Sequence, residues 1–209
     1  MSWPSLLAGN YFLDDNACPW AGPIIPIPFM EKGPVGTGWE QTTRLQGQQC
    51  RDGWFGQRPM NLGMVLGGMA GIVDIDCDCQ WACDLADIWL PRTLTFGRAS
   101  RRRSHRFYIG RSGSKQFKDP TDKKMLIEIR SNKANGEVGL QTVLPGSTHP
   151  SGELVEFEPD SLPAPVVVDV VDLYRRVAII ASMSLVAKHW PESGRHETQL
   201  GLAGVLVKT

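Results

Sequence analysis

Through the middle of the chain, apolar and polar residues alternate with a period of two, and each such run predicts a strand. Residues 60–66 and 71–75 are two of these runs, joined through Gly67-Gly68. Residues 93–96 and 105–109 follow as strands around a basic connection, and residues 125–130 form another. Asn135-Gly136 reads as a turn returning the chain along a partner strand, residues 139–144. Residues 154–157 add a last strand. Helical spacing marks residues 80–90, with Trp81, Leu85, Ile88 and Trp89 on one side and Asp84 and Asp87 on the other. Pro91 ends that helix.

The first third is crowded with turn-formers, Pro23, Pro26, Pro28, Gly33, Pro34, Gly36 and Gly38 among them. It reads as loop with short extended pieces. A proline-bearing passage at 159–165 separates the sheet-rich part from helical sequence at 167–188. The expected architecture is α+β, a mixed or antiparallel sheet flanked by helices and followed by C-terminal helices. The expected division is a catalytic domain over residues 1–160 and a helical segment over 161–209.

Charge sharpens this outline. Lysine plus arginine equals aspartate plus glutamate, so the molecule as a whole offers nucleic acid no net field. The charges are segregated, however. Eight basic residues and no acid lie between Arg98 and Lys118, just after an acidic block of Asp74, Asp76, Asp78, Asp84 and Asp87. No stretch is long and apolar enough to span a bilayer. No signal peptide is apparent, and an odd number of cysteines then points to reduced thiols in a cytoplasm.

The acidic block contains Asp74-Ile75-Asp76 at the end of an apolar strand. Alternation puts both carboxylates on one face, where they repel each other and lose hydration. A divalent cation between them removes that penalty, and oxygen ligands favour Mg²⁺ or Mn²⁺. Glu128, inside Leu126-Ile127-Glu128-Ile129-Arg130, is the best third acid for such a cage. His105 begins a strand after Arg101, Arg102, Arg103 and Ser104, a grouping able to neutralise phosphate oxygens. Pro145-Gly146-Ser147-Thr148-His149 is a turn that could offer amides and a hydroxyl to an anion. Cys77, Cys79 and Cys83 lack the spacing of a structural zinc site, so zinc is not expected.

In this order the motifs resemble the prim-pol domain of the archaeo-eukaryotic primase superfamily, found in phage and plasmid replication proteins. The resemblance rests on Val73-Asp74-Ile75-Asp76, Arg102-Arg103-Ser104-His105-Arg106-Phe107-Tyr108, Ile127-Glu128-Ile129-Arg130, and Pro145 to His149 with Gly152. Lys32-x-Pro34, Gly38-Trp39, Thr42-Thr43 and Asn61-x-Gly63 are similar to the family's opening pattern, and Leu90 to Leu94 to its usual link into the histidine strand. Two positions depart from it. The third acid is glutamate where aspartate is usual, and arginines replace the glycines before the histidine.

The resemblance implies a primase-like catalytic core and a DNA-dependent primase-polymerase, a nucleotidyltransferase of DNA replication. Asp74, Asp76 and Glu128 are then the metal ligands, and His105 joins them as a catalytic residue. Arg102, Arg103, Ser104, His105, Arg130, Ser147 and His149 are the nucleotide-binding set. Single-stranded DNA template, primer and a dNTP or NTP are the implied partners, in the host cytoplasm if the protein is phage-encoded. Residues 189–197 are similar to the start of the linker before a helicase module, so the chain is expected to be cut from a longer helicase-primase. The alternatives are another metal-dependent phosphodiesterase or nucleotidyltransferase, and a non-catalytic DNA-binding module for replication initiation.

Overall fold

The computed structural model of the chain describes residues 4–133 and 135–208. It opens with helix α1 (Pro4–Leu13), strand β1 (Ile24–Pro28) and helix α2 (Arg44–Phe55). Both helices fall where irregular loop was expected. Thr43 starts α2: its hydroxyl accepts the Gln46 N–H while the Gln46 side chain accepts the Thr43 N–H, forming a capping box. Only Gly47 and Phe55 of α2 are buried, so the helix carries almost no apolar period.

Next come β2 (Met60–Val65), β3 (Ile72–Cys77), α3 (Gln80–Trp89), β4 (Leu94–Arg98), β5 (Arg101–Ile109), β6 (Lys115–Lys118) and β7 (Met125–Arg130). The rest are β8 (Gln141–Val143), β9 (Glu156–Phe157), β10 (Val166–Val167), α4 (Val170–Lys188) and α5 (Arg195–Lys208). One sheet has the order β1-β2-β8 and the larger one β6-β7-β3-β5-β4-β9, with β10 beside β5. The named pairs are antiparallel except β10 with β5. The α+β architecture is therefore as expected.

One strand partnership differs from the alternation reading. β8 pairs with β2 rather than with β7, the strand that precedes it in the chain. β2 and β3 lie in different sheets, and the chain changes sheet at Gly67-Gly68, both at positive φ. A Cβ on Gly67 would lie 2.1 Å from Asn132 Oδ1, the atom that accepts the Gly68 N–H at 2.9 Å. Glycine is required there both for the left-handed backbone and for the close approach.

The larger sheet buries both faces. Ile72, Phe96 and Phe107 share one core with Phe12, Phe55, Leu62 and Met64. Val73, Ile75, Tyr108, Ile127 and Ile129 share the other with α3 and α4. The α3 face turned inward is Ala82, Cys83 and Ala86, while Trp81 and Ile88 are exposed. Small residues thus let α3 sit close to the sheet, which the size of its apolar side chains did not foretell. Leu173, Val177, Ile180 and Ala181 of α4 complete that core.

Candidate active site

Because β3 runs between β5 and β7, the strand carrying the aspartates has a partner on each side. Asp76 is in register with Glu128 of β7 and with His105 of β5, and Asp74 with Arg130. Three residues far apart in sequence therefore form one row across three strands, on the face opposite Val73, Ile75 and Ile129.

Asp74 is fully buried, and its partners explain how it stays ionised. Thr142 Oγ1 donates to its Oδ2 at 2.6 Å, His105 Nδ1 lies 3.1 Å from the same oxygen, and Arg130 is 3.6 Å away. Burial pushes the Asp74 carboxyl up, but His105, Arg130 and Thr142 more than offset this and hold it below its ordinary value. Burial would likewise lower His105, yet the Asp76 and Asp74 carboxylates raise it to about 9. His105 is charged at neutral pH. Phe96 stacks on its ring with centroids 5.0 Å apart, fixing the plane of the imidazole.

The acids fall into two groups that share Asp76. Asp74, Asp76 and His105 place ligand atoms within 4.8 Å of one another, and so do Asp76, Asp78 and Glu128. Asp78 continues the i, i+2 alternation one step beyond β3, and its N–H still donates to Leu126 O at 3.0 Å. Sequence reasoning counted Asp78 in the acidic block without giving it a role, although the same alternation would have found it. Burial, then Asp76 and Glu128, push Asp78 up to about 6 against the opposing Arg101. A compact all-oxygen set with repelling carboxylates fits a hard divalent cation. Arg130 lies among these acids, 3.4 Å from Asp76 and 3.8 Å from Glu128. Gln116 also donates to Glu128.

The arginine run divides in a way its sequence does not foretell. It belongs to β5 itself rather than to a connection, and the register slips between Phe96 and Arg98. Gly97 sits at this bulge, where a Cβ would lie 2.5 Å from Arg101 O, and Arg103 is at φ 59°. Arg101 and Arg98 face the cavity, as do Ser104 and His105. Arg102 and Arg103, expected to bind nucleotide, are not among the residues that line it. Arg102 makes a fork to Glu158 at 3.0 and 2.7 Å, and Arg103 binds Asp87 at 2.8 Å and Asp160 at 2.6 Å. Ser147 is also absent from the cavity: fully buried, it accepts the Leu62 N–H at 2.9 Å. Arg130 and His149 do line it.

The cavity measures about 370 Å³ and lies where β8 and the loop bearing Lys32 face the acids. Asp76, Asp78 and Glu128 line it together with Lys32, Arg98, Arg101 and Arg130. Sequence reasoning missed Thr142, whose role needs the β2–β8 pairing, and Gln141, which donates to Lys32 O at 2.6 Å. Among the described residues no helix is long and apolar enough to cross a membrane.

A search among curated proteins returned no match. The family model described as bifunctional DNA primase/polymerase, N-terminal, matches residues 20–169. That span takes in both acid groups, the histidine strand, the Ser147–His149 turn and every named strand of the two sheets. With Asp76, His105 and Glu128 in register beside the cavity, the chain belongs to the Prim-Pol family of DNA primase/polymerase domains.

Proposed function

We propose that the chain is a DNA-dependent primase-polymerase, making primers and extending them on single-stranded DNA by nucleotidyl transfer. The observation that carries this reading is the row Glu128–Asp76–His105 beside a cavity lined by both acids and cations. Asp74, Asp76 and Glu128 are the metal-holding acids, and Asp76 belongs to both groups. Two bound Mg²⁺ or Mn²⁺ ions would supply a lowered pKa at the attacking hydroxyl and charge neutralisation at the leaving pyrophosphate.

The chain's own groups prepare that chemistry. Asp74, whose Oδ2 is approached by Thr142, Arg130 and His105, orients the imidazole through Nδ1 and leaves Nε2 for substrate. The raised pKa of His105 keeps it positive, suited to a phosphate oxygen. Arg130 balances the acids before substrate arrives. Template and primer are held chiefly through phosphates, so salt weakens their binding. The catalytic domain runs past residue 160 through β10 and α4, which pair with β5 and complete its second core, and α5 leads toward a helicase module.

The test is primed single-stranded template with labelled dNTPs and Mn²⁺. Extension products are expected from the wild type and far fewer from Asp76→Asn. Nucleotide degradation, or DNA binding without any synthesis, would refute the proposal.

A further inference from the structure

Two of the acids have one carboxylate oxygen tied to a neutral donor. Thr142 Oγ1 is buried and donates to Asp74 Oδ2 at 2.6 Å. Arg130 Nη1 donates to Thr142 Oγ1 at 3.1 Å, and a guanidinium can only donate. The single hydroxyl proton is therefore left for Asp74. His105 Nδ1 at 3.1 Å and Arg130 at 3.6 Å crowd the same Oδ2. Among the described residues Oδ1 is approached by His105 alone, at 3.3 Å. At Glu128 the Gln116 amide donates to Oε1, while Oε2 faces Arg130 Nε at 3.8 Å, beyond hydrogen-bond reach.

The fold holds both donors in place. β8 carries Thr142 into register with Met64 of β2, and Gln141 O of the same strand accepts from Arg130 at 2.5 Å. Gln116 is the register partner of Glu128 across β6 and β7. Its neighbour Phe117 packs on the second core and lies 5.9 Å from the Tyr174 ring. Just after β6 the buried Asp119 accepts from Lys188 at 2.6 Å and lies 2.7 Å from His189 Nε2, tying the hairpin to the end of α4.

A donor on one oxygen leaves a carboxylate to serve as a one-oxygen ligand, because a cation gripping both oxygens must displace that donor. Cations differ in how much this matters. Mg²⁺ demands a compact octahedral shell and keeps several waters, so single oxygens suit it. Mn²⁺ accepts the same octahedral oxygen set. Ca²⁺ takes a larger, more flexible shell, into which both oxygens of one carboxylate readily enter.

We propose that Thr142 and Gln116 set the cation preference of the acid site, each restricting its carboxylate to one oxygen and so favouring Mg²⁺ or Mn²⁺ over Ca²⁺. Each is a positioning residue that acts through its acid. The inference rests on the reading of Asp74, Asp76 and Glu128 as the metal-holding acids. At Glu128 the Gln116 amide also fixes a carboxylate that the extra methylene leaves free to turn.

The test titrates the full chain with Mn²⁺, reading the free ion by electron paramagnetic resonance, and then displaces it with Mg²⁺ and with Ca²⁺. Gln116→Ala and Thr142→Val should each raise the affinity for Ca²⁺ relative to Mg²⁺ by about fivefold, the scale of one hydrogen bond. Thr142→Ser keeps the hydroxyl and should retain the wild-type ratio. A residue that only supports the fold would weaken all three cations alike and leave the ratio unmoved.

Gln116 is exposed, so Gln116→Ala decides the question even where Thr142 variants fold poorly. An unchanged ratio in Gln116→Ala, or in folded Thr142→Val, overturns the proposal. So does a wild type that binds no Mn²⁺, or a Thr142→Ser protein that behaves as Thr142→Val does. The expected shift in ratio, found in a protein that extends no primer, would instead sink the polymerase reading and leave Thr142 and Gln116 with this role.

Discussion

Asp76 and Glu128 face each other as register partners on β3 and β7, so their carboxylates approach because the strands pair, not because either residue bends toward the other. The longer glutamate side chain therefore projects from a fixed backbone position. Asp78 joins them within 4.8 Å.

That relationship sets the first prediction. Asp76→Asn removes the one carboxylate common to both acid groups while keeping its shape. Primer extension should fall by about a hundredfold or more, the scale of losing metal-assisted charge stabilisation. Circular dichroism should be unchanged. Wild-type extension rates in a pure Asp76→Asn sample would contradict the assignment.

Asp78 gives a prediction about the metal-free protein. Its carboxyl sits near 6 in the fold against an ordinary 3.8, so the folded state binds the extra proton. Stability attributable to Asp78 is thus lost as pH rises from about 4 through 6. Asp78→Asn should be more stable than wild type at pH 8, by on the order of 1 kcal/mol after allowing for its partial exposure. Urea titrations at pH 4 and 8 check this. Mn²⁺ should narrow the difference, and a less stable Asp78→Asn at pH 8 would count against the electrostatic picture.

His105 behaves with the opposite sign. Its folded value of about 9 lies above the ordinary 6.5, so its stabilisation is complete below about pH 6.5 and lost as pH climbs through 9. In metal-free samples the stability gap between wild type and His105→Gln should close across that window. A gap that stays constant from pH 6 to 10 would show that the charge on His105 contributes nothing.

Gly97 tests the bulge. Alanine there meets Arg101 O at 2.5 Å, and backbone must move to admit it. We expect Gly97→Ala to destabilise by about 1–3 kcal/mol and to weaken nucleotide binding, because Arg98 and Arg101 lose their aim. A melting temperature and nucleotide affinity equal to wild type would remove the bulge from the explanation.

Much of this site was legible in the strands. Asp74 and Asp76 stand in one strand, so their shared face, opposite Val73 and Ile75, follows from alternation alone, whereas Glu128 joins them through the β3–β7 register. The polar helix α2 was not legible, since an apolar period is the signal and α2 has almost none. Its capping pair Thr43 and Gln46 was the clue left in the sequence.

Local pattern determined which residues could be strands, which side chains shared a face, and which acids could meet a cation. Pairing across the chain decided the rest. Only the β3–β5 and β3–β7 registers put His105 and Glu128 on either side of Asp76, and only the β2–β8 pairing delivers Thr142 to Asp74. The fate of the arginines was likewise settled by distant partners, Glu158 and Asp160 drawing Arg102 and Arg103 away while Arg98 and Arg101 remain with the cavity. Alternation is a property of a single strand. Register and ion pairing are properties of segments that meet only after the chain has folded.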